Sequence, residues 1–135
     1  SEAFDGELAE NEILITSDTV VISDGHVLGK PNSEEEAFDM LKSLSGATHS
    51  VMTAVTFRDK TRQITLEDET IVTFRFLEEE EIRHYIQRYK PMDKAGAYGI
   101  QEWIGFMGVE RIEGSYYNVM GFPLHLIYAQ LKKWQ

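Results

Sequence analysis

Residues 13–31 read ILITSDTVVISDGHVLGKP, and the organisation of the 135-residue chain follows from this stretch. Ile13, Leu14 and Ile15 form an apolar run of the kind that makes a short strand buried on both faces. Thr16, Ser17, Asp18 and Thr19 come next, four small polar residues where such a strand runs out. Val20, Val21 and Ile22 then resume the apolar pattern. Ser23-Asp24-Gly25-His26 predicts a tight hairpin, because an Asp-Gly pair tolerates the positive φ of a type I′ turn. The return segment, Val27-Leu28-Gly29, ends in Lys30-Pro31, and a hairpin of that length brings Lys30 back beside residues 18–20. One carboxylate and one ammonium at the ends of buried strands suit a phosphate and its metal ion. An Asp at a strand end is also a common turn former or helix cap, and a Lys before a proline is commonly solvated. The local pattern leaves both uses open.

Composition narrows the partners. With 23 acidic and 13 basic residues the net charge is −10, which argues against a DNA- or RNA-binding protein, since that needs a basic face. A small phosphorylated substrate stays compatible, because a cleft can be locally positive or metal-loaded on an acidic protein. No run of about 18 apolar residues predicts a membrane span, and no basic, apolar signal segment opens the chain. The absence of cysteine fits a reducing compartment, so a cytoplasmic location is expected. The length fits one domain over residues 1–135.

Working outward, Ser33 and Glu36 form a capping box at the start of a helix whose apolar face is Ala37, Met40, Leu41 and Leu44, with Gly46 as its left-handed stop. The acidic clusters 34–36 and 78–81 each sit where a helix begins, and acids there favour the positive end of the macrodipole. Residues 48–58 alternate as a strand, residues 59–62 turn, and residues 63–66 form a short second strand. A polar connection at 67–69 leads to a further strand over 70–77, giving an antiparallel meander with one covered face. A helix over residues 79–89 presents Ile82, Tyr85, Ile86 and Tyr89, and Lys90-Pro91 ends it. Residues 91–101 are a tight loop rich in glycine and alanine. Residues 104–112 read as a strand, 113–115 as a turn, and 116–120 as a last short strand. A closing helix follows Pro123, with Leu124, Ile127, Tyr128 and Leu131 as its core face.

Several chemistries drop out. His26, His49, His84 and His125 are scattered, and no HExxH helix, GxSxG elbow, Walker loop or Rossmann fingerprint is present. What remains is a set of polar residues in strand-end or glycine-rich contexts: Asp18, Thr19, Lys30, Asp93, Lys94 and Gln101. Carboxylates here could hold Mg²⁺, lysines could balance a polyphosphate, and the Gln101 amide could read a base edge.

Four segments in order carry a resemblance: Ser17-Asp18-Thr19-Val20-Val21; Leu28-Gly29-Lys30-Pro31; DKAGAYGIQ over residues 93–101; and GSYYNVMGFPL over residues 114–124. Together they resemble the successive motifs of the Maf (septum formation) family, nucleoside triphosphate pyrophosphatases with a fold similar to inosine triphosphatases. The resemblance implies an α/β fold, with a mixed, largely antiparallel sheet flanked by helices and a cleft between two lobes. It implies hydrolysis of dTTP or UTP to the monophosphate and pyrophosphate with Mg²⁺ or Mn²⁺, and assembly as a homodimer. Asp18 matches the catalytic base that also lies near the metal, and Lys30 matches the phosphate-binding lysine of a GKP motif. Thr19 matches a position linked to substrate choice, and Gln101 the specificity glutamine of the dTTP/UTP branch. Asp93 and Lys94 match a pair near the same cleft.

Departures from the family pattern are specific. Family members open with a strand and an SxSPRR loop, followed by an acidic residue and a lysine, before the DTVV motif. This sequence has none of these, and Glu102 stands where a glycine often follows the glutamine. The resemblance therefore implies a protein lacking its first third, with Ser1 to Phe4 as the tail of a connecting helix. An exposed sheet edge would then favour self-association. The alternative function is a catalytically impaired fragment that only binds a nucleotide or a protein partner.

Overall fold

The computed structural model describes residues 12–134, so the expected helix tail at Ser1 to Phe4 lies outside the described residues. A single antiparallel sheet organises the chain, with strands β1 (Leu14–Ser23), β2 (His26–Leu28), β3 (Thr48–Arg58), β4 (Gln63–Phe74) and β5 (Val109–Glu113) in the order β2-β1-β3-β4-β5. Helices α1 (Glu34–Leu44), α2 (Glu79–Tyr89), α3 (Trp103–Gly108), α4 (Tyr116–Val119) and α5 (Leu124–Lys133) flank it. The fold is α/β as expected, except that every ladder among the described residues is antiparallel and none is mixed. Among these residues no helix is long and apolar enough to cross a membrane.

Local signals set several boundaries. Asp24 and Gly25 take φ of 50° and 77°, and the hairpin closes with Ser23 opposite His26. Ser33 accepts the Glu36 amide at 3.1 Å, but the Glu36 carboxylate takes the Asn32 amide rather than that of Ser33. Gly46 adopts φ of 65° just past α1.

Other boundaries differ from expectation because a partner strand overrides local polarity. Residues 16–19 do not end a strand. β1 runs on through them, paired with β3 from Leu14 opposite Arg58 to Ile22 opposite Ser50. Its start is not buried on both faces either, since Ile13 is exposed and Leu14 and Ile15 are half-buried. Glu67, Asp68 and Glu69 are likewise no connection. They pair with Ala54, Thr53 and Met52 inside one long β4, and Glu67 and Glu69 face solvent. Residues 104–108 wind into α3, because the Glu102 amide bonds Gly99 O and the Gly105 amide bonds Glu102 O. A Cβ on Gly105 would lie 1.7 Å from the Ile100 carbonyl oxygen, so the turn demands glycine. Residues 116–119 form a one-turn helix instead of a strand, capped where Ser115 Oγ accepts the Asn118 amide.

The core divides in two on one face of the sheet. Val21, Val51, Val72 and Phe74 pack under α1 and α2 with Leu41, Leu44, Ile82 and Tyr85. Val55 and Phe57 pack under α5 with Ile127 and Trp134. The expected core face of α5 is only partly used: Ile127 is buried, while Leu124, Tyr128 and Leu131 are exposed. That helix meets the sheet near one end, where β1, β3 and β4 run without β2 and β5 beside them. Tyr89 is also more exposed than its place on the α2 stripe implies, although its ring stacks on Tyr85 at 5.1 Å.

Between the two cores runs a polar belt. Thr19 and Thr53 share a hydroxyl hydrogen bond of 2.9 Å, and Thr53 donates to Asn118 O at 3.2 Å. Asn118 is fully buried, and its Nδ2 faces Val51 O at 3.1 Å, Asp68 O at 3.2 Å and Thr70 Oγ1 at 2.9 Å. Two of these neighbours are backbone carbonyls, which only accept, so the donor N–H₂ end of the amide must face them. The belt holds α4 against the middle of β3 and β4. Replacing Asn118 with Ala should lower stability by about 2–4 kcal/mol in urea denaturation, since buried acceptors lose their donor. Asn118→Asp should cost at least as much, because a carboxylate would face the same carbonyls. A loss well under about 1 kcal/mol would show that the belt does not hold the sheet and α4 together.

Candidate active site

β2 pairs only with Val21 to Ser23, so among the described residues the β1 edge at Ser17 to Thr19 is not covered by a strand. Against that edge lies a cleft of about 250 Å³, lined by Asp18, Thr19, Lys30, Asp93, Lys94 and Gln101 together. Thr19 shares its sheet face with Thr53, its partner in register, whereas Asp18 alternates to the other face opposite Ala54. An uncovered edge is what lets residues from both faces line one space.

Three loops close around the edge. After β2 the chain leaves the sheet, so Lys30 approaches from a loop, and the Gly96 amide bonds Gly29 O at 3.1 Å to tie that loop to residues 95–97. Gly96 has φ of 71°, and a Cβ there would stand 2.9 Å from Val21 Cγ2. The turn after α4 is tied from the strand side, where Ser17 Oγ donates to Gly121 O at 2.9 Å.

Charges in the cleft are of both signs. Lys94 Nζ pairs with Asp93 Oδ1 at 3.4 Å, and Lys94 is the more sheltered of the two. Asp18 and Lys30 are exposed and form no ion pair with each other or with any other described residue. Gln101 is exposed, and its side chain makes no hydrogen bond among the described residues. The Thr19 hydroxyl, by contrast, is already engaged with Thr53.

Among the described residues no three His, Cys, Asp or Glu side chains gather into a metal cage. Asp18 and Asp93 are nevertheless in the same cleft. Mg²⁺ commonly takes one or two carboxylates and completes its shell with water and substrate phosphates, so this donor set fits an ion shared with a substrate.

Ser17, Tyr98 and Gly121 also line the cleft and were not singled out from sequence. All three stand inside the four motif segments, but only contacts across the fold place them at the cleft. Tyr98 is buried, and its hydroxyl lies 2.6 Å from His49 Nε2. The His49 ring packs 5.3 Å from Phe74. Burial pushes the His49 pKa down to about 4 and the Tyr98 phenol up. Both are therefore neutral near pH 7, and no charge stands behind the loop.

A family model described as Maf-like protein matches residues 1–134. Among curated proteins, the chain is 56% identical over 131 residues to a dTTP/UTP pyrophosphatase of Flavobacterium johnsoniae, covering 97% of this chain and 68% of that protein. It is 52% identical over 127 residues to one of Porphyromonas gingivalis, covering 94% and 64%. A third, of Bacteroides thetaiotaomicron, is 50% identical over 133 residues, covering 98% and 69%. The chain thus spans about two-thirds of the length of the curated relatives it matches.

The buried histidine carries a pH signature. Its unfolded pKa is 6.5 and its folded value about 4, so within that window the unfolded chain binds a proton that the folded chain refuses. Stability should fall as pH drops from about 6.5 towards 4, by up to about 1.4 kcal/mol per pH unit from this group. Urea titrations from about pH 7 to about pH 4.5 should show a shallower decline for His49→Gln than for the parent chain. Parallel declines would contradict a histidine held neutral by burial.

Proposed function

The chain belongs to the Maf-like protein family, and from that premise we propose that it hydrolyses dTTP and UTP to the nucleoside monophosphate and pyrophosphate. The observation carrying this proposal is that Asp18, Lys30, Lys94 and Gln101, spread over more than half the chain, line one cleft at the β1 edge. The printed names of the relatives support the choice of substrates.

Each residue has a part suited to its chemistry. Lys30 and Lys94 bring positive charge to the polyphosphate on an otherwise acidic protein. Asp18 accepts a proton from water as the water oxygen attacks the α-phosphorus. The bond from that phosphorus to the α–β bridging oxygen breaks, and its electron pair leaves with pyrophosphate. A Mg²⁺ or Mn²⁺ ion, held by Asp18 with Asp93 at hand, would neutralise charge on the leaving group. Gln101 offers one acceptor and two donor positions, enough to match the adjacent carbonyl and N–H of a uracil or thymine edge. Thr19 backs the cleft floor through Thr53 and so bears on substrate fit by shape.

Binding without hydrolysis is the other outcome, and one experiment distinguishes it. Pyrophosphate release from dTTP, UTP and 7-methyl-GTP, with Mg²⁺ or Mn²⁺, separates the two. Release from dTTP and UTP is expected, with a loss of about 100-fold or more in Asp18→Asn. Unchanged release in that variant would remove Asp18 from its role. Nucleotide binding with no release would leave the binding function alone.

A further inference from the structure

Gln101 is unbonded, yet one side chain from α2 bonds the chain on either side of it, through the Gly99 N–H and the Glu102 carboxylate. Tyr85 is fully buried. Its hydroxyl donates to Glu102 Oε1 and accepts the Gly99 N–H at 3.0 Å. The two contacts bracket Gln101, one residue after it and two before. The Glu102 amide also bonds Gly99 O at 3.0 Å, closing the turn in which Gln101 sits.

The same knot reaches Lys94. A Cβ on Gly99 would lie 2.7 Å from Lys94 Cε and 3.0 Å from Glu102 Oε1. The lysine stem, the Gly99 backbone and the Glu102 carboxylate are therefore packed against one another. Burial and the neighbouring carboxylate push the Tyr85 phenol up, so it remains a donor throughout the physiological range. Such an anchor matters because a glutamine tip reads a base only when its backbone is fixed to a fraction of an ångström.

We propose that Tyr85 and Glu102 are positioning residues that hold Gln101 and the stem of Lys94, and thereby set which base the cleft accepts. This role rests on the nucleotide site proposed above. Glu102 is the side of the knot supplied from the turn itself, one residue after Gln101. Its carboxylate gives the buried phenol an acceptor next to the base-reading residue.

The test is a comparison of affinities for α,β-imido-UTP and α,β-imido-CTP, whose bases present opposite donor and acceptor patterns at one edge. The parent chain should prefer the uridine analogue. Tyr85→Phe, which removes only the hydroxyl, should cut that preference about ten-fold or more. Glu102→Ala should do the same, while Glu102→Gln, which keeps an acceptor for the phenol, should retain most of it. If the parent discriminates and both Tyr85→Phe and Glu102→Ala discriminate equally well, the positioning role is overturned while the nucleotide site stands. If the parent itself shows no preference, base reading by Gln101 falls, and the positioning role falls with it.

Discussion

The buried amide of Asn118 is the joint on which the cleft hangs. Its Nδ2 points at carbonyls of both β3 and β4, and the backbone carbonyl of the same residue accepts from Thr53. A polar group so deep is tolerable only when it is hydrogen-bonded, and here the partners span two strands and one short helix. Fixing α4 in that place fixes the turn that follows it. Gly121 then meets Ser17 and Thr19 at the β1 edge. The belt therefore links the packing of the sheet to the shape of the site.

The rest of the cleft depends on an edge left uncovered over Ser17 to Thr19. A ten-residue β1 against a three-residue β2 means that most of one β1 edge has no described partner. Small polar side chains are suited to such a stretch, since they neither waste apolar surface nor block access. Lys30 comes from the loop after the short strand, and residues 93–101 come from the other side, joined to it by the Gly96 amide. The unequal lengths of two neighbouring strands create the site.

Features fixed by neighbouring residues were legible in the sequence. The Asp24-Gly25 turn, the Ser33 cap, the Gly46 stop and the Lys90-Pro91 end of α2 each follow from the conformational preference of a few residues. Features set by distant partners were not. Glu67 to Glu69 look like a loop until an eleven-residue β3 pairs with all of them. Residues 104–108 look like a strand until Gly105 is seen to lie against the Ile100 carbonyl. The α5 face was misjudged because the helix stripe alone does not say how much sheet lies beneath it. Within the site, local pattern pointed to Asp18 and Lys30. Thr19, Asp93, Lys94 and Gln101 stood out only as polar residues in strand-end or glycine-rich contexts, and motif order narrowed their roles. Ser17 and Tyr98 escaped because their partners, Gly121 and His49, are far away in sequence.

The claim that one edge of the sheet forms a nucleotide site is tested most directly by amide chemical-shift mapping with α,β-imido-UTP and Mg²⁺. Perturbations are expected at Ser17 to Thr19, Lys30, Lys94, Gly99 to Gln101 and Gly121, with little change at Lys60 or Thr61 in the turn between β3 and β4. Perturbations centred on that turn or on the exposed side of α5, or none at all at saturating ligand, would contradict a nucleotide site at this edge.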